Sequence, residues 1–586
     1  MPLNEPLFPP ISKWTPPSSL PNLTGVKILG LDTETKDPNL LNMGPGALRG
    51  DGYVVGISVA TDDDKWYFPI AHEGGGNLDK DNVCAYLKDI LGNDSSAKVG
   101  ANLLYDLEWL RGDLGIEVRG PLYDIQVAEP ILDENKQGGY SLDNLSKSYF
   151  NYGKEEEGLK AAAEAYGIDP KGEMWRLPSR FVGPYAEADA QLPLRIFDIQ
   201  RKKLVAQSLW DIFKLETDLI PILLDMRFLG VRVNIEKAYE VSGIMLKQEQ
   251  EILDEVKINP WASTDLLKFF DRNNLPIRRT EAGNPSFTRE YLESLKHPLV
   301  RKIVEYRVLS KNRRDFIDGL ILKQNIGGRL HAQFHQLRND RFGTRSGRFS
   351  SSNPNLQQIP SRHPYWGPLI RSLFLPDSGR HFGKFDYSQQ EPRLTVHYGE
   401  KCGLRGAKEA GDKYREDPNT DFHQLIADLT GLPRRQAKTV NLGLAYGMGK
   451  FKLANEMGVS IEEADPILQK YHSSAPFIRQ LSNKCNDRSM VAGEIITILG
   501  RKRRLSTGNH HKALNALIQG SAADMTKVAM KQCYDAGHTP HLQVHDELCF
   551  SLSEEENDIQ EIMESAVKLT VPVKVDVDIG KNWGMT

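Results

Sequence analysis

Two sets of acids sit at the ends of strand-like apolar runs, and any fold for this chain has to gather each set. The first is Asp32 and Glu34 in LGLDTET, Asp106 in ANLLYDLEW and Asp189 in PYAEADAQ. The second is Asp386 in KFDYSQQEPR with the pair Asp546–Glu547 in QVHDELCF. Residues two apart on a strand share a face, so Asp32 and Glu34 project together. Two carboxylates on one face repel unless a cation lies between them, although an isolated Asp-x-Glu also fits a plain surface strand end. Tyr185 precedes Asp189 by four residues, so on a helix the phenol and the carboxylate share a face. Four carboxylates balance two divalent cations, and paired metals about 3.5–4 Å apart catalyse in-line displacement at phosphorus. Two such sites in one chain point to chemistry that both makes and breaks phosphodiester bonds.

At 586 residues the chain exceeds a single core and is expected to divide into three to five compact units. Its five cysteines are scattered, with neither a CxxC pair nor zinc spacing, which fits a reducing compartment and no disulfide scaffold. Residues 1–22 are proline-rich, without the basic and apolar regions of a signal peptide, and read as an extended leader. No apolar run reaches the length of about 20 residues that crosses a bilayer, so no membrane partner is expected. The expected location is the cytoplasm, a host's if the source is viral, with an organelle also open. A net charge of −4 gives no reason by itself to expect nucleic acid. The distribution does, because Arg338, Arg341, Arg345 and Arg348, then Arg434, Arg435 and Lys438, then Arg501 to Arg504 form basic runs in the carboxyl half. Each run reads either as a solvated face or as a grip for a phosphate backbone.

Along the chain, VKILGLDTET reads as a buried strand, DGYVVGISVATDDDKWYFPI as a period-two hairpin, and strand–helix alternation continues to about Gln200, an α/β pattern. Helical spacing then runs to about Gln324, broken by RTEAGNPS. The remainder mixes helices with strand-like patches at GKFDYS, ITILG, LQVHDELCFSL and VPVKVDVDI, an α+β pattern. In TGLPRRQAKTVNLGLAYGMG, Pro433 suits a first helical turn, and Arg434, Lys438, Leu442 and Tyr446 recur every four residues. Two cations near the start of that face suit a triphosphate, and a flat tyrosine further on suits a base.

The amino-terminal acids, in order and approximate spacing, resemble the DEDD exonucleases with tyrosine in the last motif. That resemblance implies an RNase H-like domain hydrolysing single-stranded DNA from the 3′ end, with Asp32, Glu34, Asp106 and Asp189 as metal ligands and Tyr185 orienting water. Asp124 in PLYDIQ is expected to be structural. DYSQQEPR, RRQAKTVNLGLAYG and QVHDE resemble motifs A, B and C of family A DNA polymerases, and SGRFSSSNPNLQQIPSR, NALIQGSAAD and DVDIGKNWG match the same family. The likeness covers residues 24–586 and contains no segment for a 5′-nuclease. It implies a right-hand polymerase with exonuclease domain 23–205, thumb and helical connection 206–328, palm 329–398 and 499–586, and fingers 399–498.

By matching position, the resemblance makes Asp386, Asp546 and the Tyr387 backbone carbonyl metal ligands, with Glu547 assisting. Arg434, Lys438, His423, Leu442 and Tyr446 would bind the incoming dNTP, and Glu391 would exclude a ribose hydroxyl. Arg348, Asn355, Gln357, Arg362, Asn515, Gln519 and His545 would contact primer–template DNA, some through minor-groove acceptors common to all correct pairs. Two Mg²⁺ ions are implied at each site, with Mn²⁺ as a substitute; processivity factors are not identifiable. Three departures stand out. Leu442 replaces the family's aromatic residue, Gln390 and Pro392 replace apolar residues of motif A, and His511 stands where relatives often carry arginine. A nuclease whose second half only holds DNA, a DNA-binding scaffold and a single-subunit RNA polymerase are the competing readings. The complete acid sets, Glu391 and the exonuclease motifs speak against them.

Overall fold

The protein is described as a computed structural model covering residues 5–361, 363–445 and 450–585, without the side chains of residues 429, 430, 435, 442, 444, 445 and 452. The expectations at Arg362, Tyr446 and the Leu442 side chain therefore lie outside the described residues. The first unit is built on a five-stranded sheet of β1 (Ile28–Lys36), β2 (Tyr53–Ala60), β3 (Lys65–Pro69), β4 (Ala97–Gly100) and β5 (Leu122–Asp124), in the order β3-β2-β1-β4-β5. The expected hairpin is β2–β3, and β1, β4 and β5 run parallel. Helix α1 (Leu103–Leu114) links β4 to β5, while α2 (Ser179–Ala206) crosses β1, β2 and β3. The period-two reading of β2 fails in one respect: Val54 to Ala60 are all buried, because α1 and α2 both pack on that strand.

Glycine at one position sets how closely α2 approaches. A Cβ on Gly30 would lie 2.0 Å from the Ala190 carbonyl oxygen, so only glycine admits the helix there. Two prolines lie within α2, and a proline removes the hydrogen bond to the carbonyl four residues earlier. For Pro184 that carbonyl is Arg180's, and the Ser12 hydroxyl donates to it at 2.7 Å. Trp14 covers Gly183 and donates its indole N–H to Glu187 at 2.9 Å. Ser12 and Trp14 thus pack the leader along α2.

Helix α3 (Trp210–Leu229) leads into a helical region where Ile235–Val256 packs on Pro298–Lys311 and on the turns that follow it. The second sheet is antiparallel: β6 (His381–Tyr387) lies between β8 (Glu547–Leu552) and β9 (Val575–Gly580), with β7 (Leu542–Val544) outside β8. Helix α4 (Gln390–Lys401) follows β6, and α5 (Phe422–Thr430) and α6 (Arg434–Ala445) belong to a helical layer that packs around its own apolar core. Helix α7 (Ala513–Asp535) is buried along most of its length against α3, α4 and the helix Pro476–Ala492. The ITILG patch is only partly strand: Glu494–Ile496 pairs with Lys502–Arg504, and the residues between turn at Gly500 with φ 96°. No described helix is long and apolar enough to cross a membrane.

Candidate active sites

The first site forms where α2 lies over β1. Strand alternation aims Asp32 and Glu34 to one face, Gly30 lets the helix descend, and Asp189 arrives beside them. Carboxylate oxygens of Asp32, Glu34 and Asp189 lie within 4.8 Å of one another. Asp106, on α1, is held slightly apart: one of its oxygens accepts from the Thr33 backbone N–H at 3.0 Å and the Thr33 hydroxyl at 2.6 Å. Of the four acids expected as ligands, three converge here and the fourth, Asp106, is bonded to the strand between them. Asp124 accepts backbone N–H groups of Asn102, Leu103 and Gln126, a capping role that agrees with the structural reading.

Crowding and burial show in the electrostatics. Burial first, then Glu34, Asp106 and Asp189, hold the Asp32 carboxyl well above the usual range. Burial and Asp189 push Glu34 up to about 8, and burial, with Asp124 adding, pushes Asp106 up to about 8 against the Thr33 bonds. Asp189 Oδ1 is buried and has no hydrogen-bond partner. Three hard oxygen donors and an unsatisfied carboxylate oxygen fit a divalent metal ion. Sequence reading missed Lys154, a lone loop lysine with no pattern to mark it. Its ammonium pairs with Asp189 Oδ2 and donates to the Tyr185 hydroxyl at 2.7 Å.

The second site is built on β6. Asp386 lies opposite Glu547 of β8 and opposite Asp576 of β9, and Asp546 occupies the tight turn from β7 to β8 beside His545, whose φ is 60°. Burial, then Asp546 and Glu547, push the Asp386 carboxyl up to about 7. Asp546 is also raised by burial, with Arg348 and His545 opposing. Asp386 Oδ1 is buried without a partner, again a donor that fits a cation. Glu547 is turned inward, one oxygen accepting from the Trp583 indole at 2.9 Å and from the Cys549 thiol at 3.0 Å. Tyr387 donates its hydroxyl to the Met563 carbonyl at 2.7 Å and its N–H to the Asp546 carbonyl at 3.4 Å.

In the helical layer, Arg434 pairs with Asp421, whose side chain caps α5, and Lys438 is exposed one turn along α6. His423 meets the Asn441 amide at 2.9 Å, and burial holds its pKa below the usual range, with Lys438 and Arg434 adding against Asp421. Asn441 also accepts from the Tyr471 hydroxyl at 2.6 Å. This buried asparagine was missed, although its position three residues after Lys438 places it near the same face.

Glu391, on α4, is ion-paired with Arg348. Arg348, Gln390, Gln543 and His545 line one pocket beside Ala522 and Thr526 of α7. Gln357 reaches that neighbourhood by donating to Gln543 Oε1 at 2.8 Å, whereas Asn355 accepts from the Gln357 backbone N–H at 3.1 Å and caps a short turn. Asn515 and Gln519 lie one turn apart on α7, both half-buried, and His511 is exposed in the turn before it. Gln390 is buried and donates to the Ala522 carbonyl, while Pro392 falls in the first turn of α4, where its missing N–H leaves no bond unmade. Both departures are absorbed by packing. The basic run at 501–504 is corrected: Arg501 is buried against Glu216 and Asp524, Lys502 pairs with Glu494, and Arg503 and Arg504 pair with Glu134. Its charges answer internal acids instead of a phosphate backbone.

Residues 235–585 match the family described as DNA polymerase family A, and residues 19–205 match the 3′-5′ exonuclease family. A DNA-directed DNA polymerase of Pseudomonas phage M6 is 38% identical, over 99% of this chain and 98% of that protein. DNA polymerase I of Pseudomonas aeruginosa is 29% identical, over 96% of this chain and 64% of that protein. A solved structure, the POL domain of Pol1 from M. smegmatis in complex with DNA primer-template and dNTP, shares the fold, with a TM-score of 0.77 at 24% identity over 96% of each chain. With one family pattern over each acid site, in chain order, the chain belongs to the family A DNA polymerases and is a DNA-directed DNA polymerase carrying an amino-terminal 3′-5′ exonuclease domain.

Proposed function

We propose that the enzyme extends a primer 3′ end from dNTPs at the Asp386–Asp546 site and removes mispaired 3′ ends at the Asp32–Glu34–Asp189 trio. One observation carries this reading: each acid group contains a buried carboxylate oxygen without a hydrogen-bond partner, Asp189 Oδ1 in one and Asp386 Oδ1 in the other. The divisions proposed are an exonuclease domain over 23–205, thumb 206–328, palm 329–398 and 499–586, and fingers 399–498. The similarly folded M. smegmatis polymerase domain, solved in complex with primer-template and dNTP, supports the same two partners here. Mg²⁺ is the proposed ion at both sites, with Mn²⁺ as a substitute. When bound, such ions stabilise charge on the phosphoryl oxygens and activate the attacking oxygen.

The remaining work falls to the chain's own residues. Asp386, Asp546 and the Tyr387 carbonyl would hold the ions for synthesis, with Glu547 fixing the turn from inside. Arg434, Lys438 and His423 would receive the triphosphate, Arg434 exchanging Asp421 for phosphate oxygens. Leu442 and Tyr446, later in the same sequence motif, are proposed at the sugar and base. Glu391 would close the space a ribose hydroxyl needs. Arg348, Gln357, Asn515, Gln519 and His545 would meet the minor groove of the nascent pair, and Asn355 and Arg362 are proposed as further DNA contacts. At the other site Asp32, Glu34, Asp106 and Asp189 would hold metal, and Tyr185 would orient water.

The deciding experiment is Asp546→Ala, assayed for primer extension with dNTPs and, separately, for shortening of single-stranded DNA without them. Synthesis should fall by at least about a hundredfold, since a metal ligand is worth several kcal/mol in the transition state. Shortening should persist. Extension at near wild-type rate would remove Asp546 from the reaction.

A further inference from the structure

Lys154 occupies a place for which the two-site reading has no use. It lies in the loop between helices Leu142–Phe150 and Glu157–Tyr166, and its backbone N–H is tied to Asp143 Oδ1 at 3.0 Å. The side chain enters the acid trio, 13% exposed, to pair with Asp189 Oδ2 and the Tyr185 hydroxyl, with the ammonium 4.5 Å from the Tyr185 ring centroid. With Asp106 counted, four carboxylates would balance two divalent ions; the ammonium cancels one of those charges and leaves minus three, enough for one ion and short of two. A second ion at Asp189 would have to share that carboxylate with an ammonium already bonded to it.

We propose that Lys154 is a tethered monovalent counterion of the exonuclease trio, which must withdraw before the site takes its second divalent ion. The proposal rests on the exonuclease reading of this site. Lysine suits the task because its charge sits at the end of a flexible four-carbon stem. The anchored backbone keeps the loop in place while the side chain moves. Room for the withdrawn ammonium lies next to the trio, in a cavity of about 640 Å³ lined by Lys154, Glu155, Glu157, Tyr185 and the leader residues Lys13 and Trp14. Withdrawal has a second effect. While Lys154 donates to the Tyr185 oxygen, one lone pair of that phenol is occupied; once it leaves, the phenol can bond the attacking water. Loading of the second ion and release of Tyr185 are then one event.

The test uses Mn²⁺ alone, counted by electron paramagnetic resonance, in the full chain carrying Asp386→Ala and Asp546→Ala so that only the trio reports. This background should bind one ion tightly and a second weakly. Adding Lys154→Met should tighten the second ion by roughly tenfold, the effect of removing one nearby positive charge. Lys154→Arg should keep the weak second site. In the otherwise unaltered chain, Lys154→Met should lower by a similar factor the Mn²⁺ needed for half-maximal shortening of single-stranded DNA. Normal primer extension by that variant would show that it folds. An unchanged or weaker second site in Lys154→Met would overturn the proposal. So would lost shortening at saturating Mn²⁺ with an unchanged isotherm, which would make Lys154 a contact to substrate phosphate. No Mn²⁺ bound to the trio at all would overturn the exonuclease reading together with it.

Discussion

Glu391 and Arg348 are bound to each other although each is assigned a different part of the substrate. On the proposed reading, the pair joins the carboxylate that excludes a ribose hydroxyl to a minor-groove contact, beside the pocket that Gln543 and His545 share. Glu391→Ala should therefore raise the ratio of kcat/KM for rNTP over dNTP by at least about tenfold, because selectivity is a difference in transition-state binding. An unchanged ratio would move sugar selection elsewhere, with Leu442 the next residue to test. At this scale the sequence was a good guide wherever local geometry decides. Asp32 and Glu34 face together because a strand has period two, and Arg434 and Lys438 share a face because a helix has nearly four residues per turn. It was a poor guide to Lys154 and Asn441, whose partners come from other segments. Glu547 was expected to assist, and the structure adds that one of its oxygens bonds Trp583 and Cys549 in the interior.

Among the elements, α7 shows how far a charge pattern can mislead. The run beginning at Arg501 reads as basic surface, yet Arg501 and Lys527 are buried at 4% and 0% exposure against Glu216 and Asp524, both at 0%. Nothing local marks this, because Glu216 belongs to α3 and its partners lie far along the chain. Arg501 also lies under Gly347, where an added Cβ would meet its guanidinium at 3.0 Å, so the buried cluster supports the segment that presents Arg348. Burial lowers the Lys527 ammonium to about 8, with Glu216 the main opposing influence. Removing one partner of such a cluster leaves a buried charge uncompensated. Lys527→Met should thus destabilise the polymerase portion by about 3 kcal/mol, read as a lower urea midpoint at unchanged slope. A midpoint equal to wild type would show that Arg501 alone satisfies Glu216. The sheets and long helices were legible from periodicity. The close approach of α2 over Gly30 was not, since it depends on a contact between residues far apart in sequence.

For the whole molecule, the acids of the amino-terminal site make stability depend on metal and pH. Asp32, Glu34 and Asp106 all have folded pKa values above their ordinary ones, so the stability they contribute is present below about pH 4 and is lost as pH rises, through about 8 for Glu34 and Asp106. In EDTA the exonuclease unit should therefore weaken between those limits, and Mg²⁺ should restore it. Asp32→Asn should raise the metal-free Tm of that unit by about 2–4 °C and blunt the Mg²⁺ response, as followed by calorimetry. A lower Tm for the variant in EDTA would mean that the carboxylate is held by favourable bonds and not strained by its neighbours.

The exonuclease unit is also bolted to the rest of the chain. Glu134 receives Arg503 and Arg504 at 2.9 Å each, Asn135 donates to the Arg504 carbonyl at 3.0 Å, and Glu108 is paired with Arg227 of α3 at 3.2 Å. On the proposed reading, the two catalytic centres share one frame, so it is the growing strand that travels. Editing then becomes a race between fraying of the last base pairs and arrival of the next nucleotide. The melting tendency of each terminus, written in its own base composition, sets the odds, and the protein keeps only the length of the course fixed.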